Sequence, residues 1–144
     1  MHRVRSLAIC VFRHRDRVLV AEGYDPVKKE VFYRPLGGGI EFGEYSEQTI
    51  QRELREEIGA EVCDLNYLGT LENVYVFNGT PGHEIIQVYD GTLRDASLYQ
   101  QPLIEGQEVD IDDTFQAVWK RLDEFGEGKS ILYPTGLLEM LNKS

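Results

Sequence analysis

The chain is poor in several features that would place it quickly. Its two cysteines, Cys10 and Cys63, stand far apart in no paired spacing, which argues against a disulfide scaffold and fits a reducing compartment. Both are expected as small buried hydrophobes. Three histidines and those two thiols form no cluster at zinc spacing. Positive charge is scarce: 15 Lys and Arg against 25 Asp and Glu leave a formal net charge of -10 and a pI near 4.7. So acidic a surface repels nucleic-acid polymers and anionic membranes, and a phosphate-bearing ligand would need a cation to mediate its approach. No run of about 20 apolar residues occurs, and the segment after Met1 meets Arg13 too soon to form a signal-peptide core. The expectation is a soluble cytoplasmic protein with neither a membrane nor a nucleic-acid polymer as partner.

What is present suits one globular unit. The 144 residues are 42% hydrophobic and 28% charged, which fits a single domain over 1–144 with one core. Residues 4–12 and 18–21 are rich in strand formers and flank a polar break at 13–17, so a hairpin is expected there. A short strand at 31–33 is stopped by Pro35 and three glycines. Residues 46–58 make the strongest helix, with Ile50, Leu54 and Ile58 recurring every fourth residue, Ser46 as N-cap and Gly59 just beyond the C-terminus. Strands at 62–77 and 84–93 with a turn over 78–82 predict a second hairpin. Residues 95–113 show no period and read as a loop. A strand at 114–120, a helical turn at 122–125 and a closing helix at 135–141 complete the chain. This order suggests a mixed sheet with helices on its faces, an α/β fold.

The helix at 46–58 carries an inconsistency. At about 100° per residue, Glu53, Glu56 and Glu57 share one side, adjacent to the apolar stripe. Glu53 and Glu57 are a like-charge pair that costs about 0.2–0.5 kcal/mol, and acids near a helix C-terminus cost about 0.3–1 kcal/mol each. Arg52 and Arg55 offset part of this. Local rules broken without structural gain mark functional sites, and a divalent cation would remove the penalty. The candidate ligands are all oxygens, with Glu44 upstream as an addition, so Mg²⁺ is favoured, with Mn²⁺ as the alternative. Gly37, Gly38 and Gly39 allow close backbone approach to such a site.

The spacing is more specific than the composition. Gly38, Glu44, Arg52-Glu53-Leu54, Glu56-Glu57 and Gly59 stand in the order and intervals of the signature of the Nudix hydrolases, which this sequence resembles. Ala60 departs from it, since the family prefers a larger aliphatic residue there. The opening hairpin and the tail Trp119 to Phe125 extend the resemblance over most of the chain. The resemblance implies a Nudix-type α/β/α sandwich around a mixed β-sheet. It also implies divalent-metal-dependent hydrolysis of a pyrophosphate bond in a nucleoside diphosphate linked to another moiety. Examples are ADP-ribose, a nucleotide sugar or an oxidised nucleoside triphosphate, and the partner is thus a small nucleotide. Glu53, Glu56 and Glu57, with the backbone at Gly38, are the expected metal set. Glu53 or a loop acid orients the attacking water, and Arg52 braces the glutamates. For the loop acid the first choice is Asp113, followed by Glu108, Asp110 and Asp112. Arg34, Gly38 and Gly39 are candidates for substrate binding. His83 reads as a turn histidine, and Tyr24, Phe32 and Tyr33 are stacking candidates that fit a core equally well. Homodimers are common among such proteins. The alternative is a Nudix-fold module that binds a nucleotide without turnover.

Overall fold

A computed structural model describes residues 2–108 and 113–143. Strand β1 (Val4–His14) turns at Arg15-Asp16 into β2 (Arg17–Asp25), the expected opening hairpin, and β3 (Glu30–Arg34) follows. Strand β4 (Leu36–Gly39) precedes helix α1 (Ser46–Ile58). The long strands β5 (Val62–Phe77) and β6 (Thr80–Leu93) come next, then β7 (Leu103–Glu108), β8 (Asp113–Arg121), the short β9 (Ile131–Leu132) and helix α2 (Leu137–Lys143). The principal strand order is β5-β6-β1-β2-β3-β9, with β4 against β1, and β8 joining β7 to β2. Pairs β1/β6 and β3/β9 are parallel and the others antiparallel, so the sheet is mixed as expected.

The apolar run in β1 has a simple cause: both its faces are covered. Ala8, Cys10 and Phe12 join Ile50 and Leu54 of α1 in one core, while Leu7, Ile9 and Val11 join Leu137 and Leu141 of α2 in another. One helix therefore covers each face, and the α/β/α sandwich is the architecture found. Each fully buried Leu or Ile contributes about 1.5–3 kcal/mol, so Ile50 and Leu54 suffice to dock α1. Ala60 is buried beside Val62, so the smaller residue at that position is accommodated by packing. Cys10 is buried as expected and Cys63 half-buried; both are free thiols. Among the described residues no helix is long and apolar enough to cross a membrane.

Several expectations are corrected. The triple glycine, read as a strand stop, is itself strand: Leu36 to Gly39 pair with Cys10 to Leu7. Without side chains it carries no hydrophobic period, yet its backbone completes the ladder. The loop read over 95–113 contains a 3-10 turn at Ala96–Gln100 and the strand β7. Only Ile104 and Gly106 of β7 are buried, too few to show an alternation. Strand β2 runs four residues past the expected end, with Gly23 and Asp25 paired to β3. The second hairpin turns in two residues, since Phe77 faces Thr80 and Asn78 and Gly79 both take positive φ, the Asn-Gly preference of a tight hairpin turn. Helix α2 begins at Leu137, two residues later than expected.

One consequence of this topology positions the site. Strands β1 and β2 pair only at Arg13/Val18 and His14/Arg17 and then diverge, β1 to β4 and β6, β2 to β3 and β8. A crevice opens between the two halves, and a cavity of about 550 Å³ occupies it.

Candidate active site

Helix α1 is fixed at both ends. Tyr45, not Ser46, is the N-cap residue. The Gln48 side chain accepts from the Tyr45 N–H at 2.8 Å, and the Ser46 hydroxyl is committed instead to the Tyr89 hydroxyl at 2.6 Å. At the other end Gly59 adopts a left-handed conformation, and N–H groups of Gly59 and Ala60 donate to the carbonyls of Arg55 and Leu54. The Gly59-to-Arg55 bond is the closure of a left-handed helix cap, and Gly59 supplies the positive φ it requires. With Ile50 and Leu54 against the sheet, the acid face is turned toward β4 and β7.

Arg52 organises that face. Its Nε and Nη2 donate to the two oxygens of Glu44 at 2.8 and 2.9 Å, its Nη1 donates to Glu53 Oε1 at 2.8 Å, and its Nη2 also reaches the Gly39 carbonyl at 3.0 Å. A weaker contact joins Nη1 to Glu56 Oε2 at 3.4 Å. The guanidinium fork suits this task, because a planar set of donors can hold several acceptors in fixed relative positions. It holds the Glu44 carboxyl down to about 2, with further help from the Thr49 hydroxyl and the Glu41 N–H. Glu44 is thereby engaged through both oxygens and serves the bracing network.

Glu57 is in the opposite condition. It is 6% exposed, and its Oε1 is buried without a hydrogen-bond donor among the described residues. Burial raises its carboxyl to about 9, and the nearby acids Glu108 and Glu53 add to the effect while the Gly37 N–H opposes it. Glu53 is also raised, by burial first, despite its bond to Arg52. Such a pairing of acids with one unmatched oxygen fits a cation in place of a proton. Among the described residues the acids do not converge into a closed set of three ligands; they stand along the junction of α1, β4 and β7.

The glycines explain how the acids come so near the sheet. A Cβ on Gly38 would lie 2.5 Å from the Glu53 carboxyl carbon, and one on Gly37 would lie 2.1 Å from the Ala8 carbonyl oxygen. Gly37 therefore excludes a side chain, and a side chain at Gly38 would displace the Glu53 carboxyl. Gly39 has only Arg5 Nη2 near it, at 3.7 Å, and its carbonyl is the acceptor for Arg52.

The loop acids are placed by the β7/β8 hairpin. Glu108, at the end of β7, reaches the electrostatic neighbourhood of both Glu53 and Glu57. Asp113 faces it across the hairpin, exposed, with its Oδ1 accepting from the Thr114 N–H. Asp110 and Asp112 lie outside the described residues. Arg34 lines the crevice, as do Glu108, Asp113 and Phe32, whereas Tyr33 turns away to Phe125 and Glu22, and Tyr24 is exposed. His83 is exposed beside the crevice residue Glu84. Reading the sequence missed Arg5, Asn73, Phe77 and Glu84 in the crevice wall. Glu84 had a visible signal, since it breaks the inward row that continues with Ile86 and Val88.

Comparisons with known proteins agree with this geometry. A family model described as the NUDIX domain matches residues 1–135. The NAD-capped RNA hydrolase NudC of Mannheimia succiniciproducens is 36% identical over 121 residues, covering 83% of this chain and 40% of that protein. That of Pseudomonas aeruginosa is 38% identical over 68 residues, 47% of this chain and 24% of the relative, so the chain matches less than half the length of these curated relatives. Among solved structures, a MutT NUDIX hydrolase from Burkholderia pseudomallei superposes with a TM-score of 0.69 at 17% identity, covering 97% of this chain and 99% of that one, a likeness of fold. With the family model over nearly its whole length and the signature residues assembled on α1 and β4, the chain belongs to the NUDIX domain family, the Nudix hydrolases.

Proposed function

We propose that the protein hydrolyses the pyrophosphate bond of a nucleoside diphosphate linked to another moiety, using a divalent cation, Mg²⁺ first and Mn²⁺ as the alternative. The observation that carries this reading is the buried Glu57 carboxyl, whose Oε1 has no donor among the described residues although Glu53 and Glu108 stand beside it. Glu53, Glu56 and Glu57, with the backbone at Gly38, would hold the cation. When bound, it supplies neutralisation of the charge on the pyrophosphate and a lowered pKa for water.

The chain's own groups supply positioning. Arg52 fixes Glu53 through Oε1 and leaves Oε2 to orient a water molecule. Glu108, nearest to Glu57 from the far side, is our choice for the additional acid that accepts the proton of the attacking water, with Asp113 across the hairpin in reserve. Gly38 leaves the volume in which Glu53 sits, and the donors of Arg34 open onto the crevice where a nucleotide would lie. In such phosphoryl chemistry, alignment and electrostatic stabilisation provide most of the rate.

The test is a hydrolysis panel over ADP-ribose, nucleotide sugars, dinucleoside polyphosphates, nucleoside triphosphates and a nicotinamide dinucleotide, with and without Mg²⁺, read by chromatographic separation of the nucleoside monophosphate and the second phosphorylated product. The nicotinamide dinucleotide belongs there because the curated relatives are named as hydrolases of NAD-capped RNA. Turnover of one class only with the cation supports the proposal. No cation-dependent turnover of any member would favour a nucleotide-binding module.

A further inference from the structure

We propose that Glu84, flanked by Arg5 and Arg34, reads the hydrogen-bonding edge of the substrate's base. This rests on the reading above only in that the ligand is a nucleotide.

Strand β6 turns Glu84, Ile86 and Val88 inward, and Glu84 is 1% exposed. A carboxylate in an apolar row is costly unless its bonds are made. Here they are half made. The Tyr75 hydroxyl donates to Oε2 at 3.1 Å, while Oε1 is buried with no hydrogen-bond partner among the described residues. Arg5 Nη1 stands 3.8 Å from Oε2 and Arg34 Nη2 stands 3.9 Å from Oε1, both beyond hydrogen-bond reach. Neither guanidinium group donates a hydrogen bond to another described residue. Strand register puts Arg5, Glu84 and Asn73 in one row across β1, β6 and β5. Arg5, Glu84 and Arg34 thus stand as a trio at ion-pair but not hydrogen-bond distance in the wall of the 550 Å³ cavity, with donors and an acceptor left to share with a ligand.

The polarity of the trio selects the ligand. A phosphate group only accepts hydrogen bonds, so it would leave Oε1 facing a second anion. An ammonium group only donates, so it would meet two guanidinium groups. The edge of a nucleobase presents an N–H beside a carbonyl or ring nitrogen, one for Glu84 Oε1 and the other for an arginine. The remaining walls suit a flat ring: Phe32 meets Phe77 at 5.8 Å and Tyr133 at 5.5 Å between ring centroids, all lining the same cavity. Of the other acids lining the cavity, Asp25 is engaged with three backbone N–H groups and Glu22 with the Tyr33 hydroxyl.

The experiment measures binding without turnover. Metal-free protein is titrated calorimetrically with AMP, GMP, CMP, UMP and ribose 5-phosphate, the last being the same ligand without a base. At least one nucleotide is expected to bind about 10-fold or more tightly than ribose 5-phosphate, and Glu84→Gln is expected to remove most of that advantage while leaving ribose 5-phosphate unchanged. Tyr75→Phe keeps the carboxylate but releases its anchor, and a smaller loss in the same sense is expected. The proposal is overturned if the wild type gains nothing from a base, if both variants keep the full advantage, or if ribose 5-phosphate loses equally, which would make Glu84 merely structural. Because no hydrolysis is measured, a protein without turnover can pass this test and an active hydrolase can fail it.

Discussion

Glu44 and Glu57, 13 residues apart in sequence, show how differently one site treats its acids. Glu44 is held ionised by Arg52, and its folded-state carboxyl lies at about 2, below the unfolded value near 4.3. It therefore contributes stability that is complete above about pH 4.3 and lost as the pH falls toward 2. Removing its partner should be felt at neutral pH. Arg52→Ala is expected to cost about 2–3 kcal/mol in urea unfolding and Arg52→Lys less, since lysine keeps the charge and loses the fork. Glu57 has the reverse sign. Its folded carboxyl is raised to about 9, so between about pH 4.3 and that value the folded chain holds a proton the unfolded chain has released. Its contribution is complete at low pH and falls as the pH rises through that window. Glu57→Gln should flatten the decline and raise the melting temperature of the metal-free protein at pH 8, while abolishing the stabilisation that Mg²⁺ gives the wild type. A variant that melts lower and still responds to Mg²⁺ would contradict the placement of Glu57.

At the scale of elements, α1 was the most legible part of the chain. Ile50 and Leu54 repeat at helical spacing, Gly59 marks the stop, and the acids form a local pattern whose intervals do not depend on the rest of the fold. Strands β4 and β7 were not legible, because a run of glycines and a strand with one buried large side chain carry no period. The choice between Glu108 and Asp113 depended on the β7/β8 register, which is set by the pairing of the two strands and not by composition. Glu84 stood in the alternating row with Ile86 and Val88, and its place in the crevice wall followed only from the β1/β6 pairing that sets it beside Arg5. The β4 glycines yield a contrast in mutants. Gly38→Ala places a methyl group against the Glu53 carboxyl and is expected to reduce activity about 100-fold with little change in far-ultraviolet dichroism, whereas Gly39→Ala, whose Cβ would meet only Arg5 Nη2 at an ordinary contact distance of 3.7 Å, should fold and melt like the wild type. Equal effects of the two substitutions on activity would disconnect Gly38 from Glu53.

For the whole molecule, the divergence of β1 and β2 is the decisive feature. It splits one mixed sheet into two halves, leaves a crevice between them, and sets the acid face of α1 against β4 and β7 at one side. Asp25 ties the far end together: its Oδ1 accepts from Val27 and Lys28 N–H in its own turn, and its Oδ2 accepts from Asn78 N–H in the β5–β6 turn at 3.2 Å. Asp25→Ala should lower the melting temperature and speed amide exchange at Asn78, with the acids on α1 unaffected. The central claim concerns chemistry at the other side, where Glu56 and Glu57 share the proposed cation. The most direct measurement is the Mg²⁺-dependent initial rate on the best substrate of the panel for the wild type, Glu56→Gln and Glu57→Gln, each checked for native dichroism. Both variants are expected to fall by about 10²- to 10³-fold or more at saturating Mg²⁺. A folded variant that retained the full wild-type rate would contradict the account.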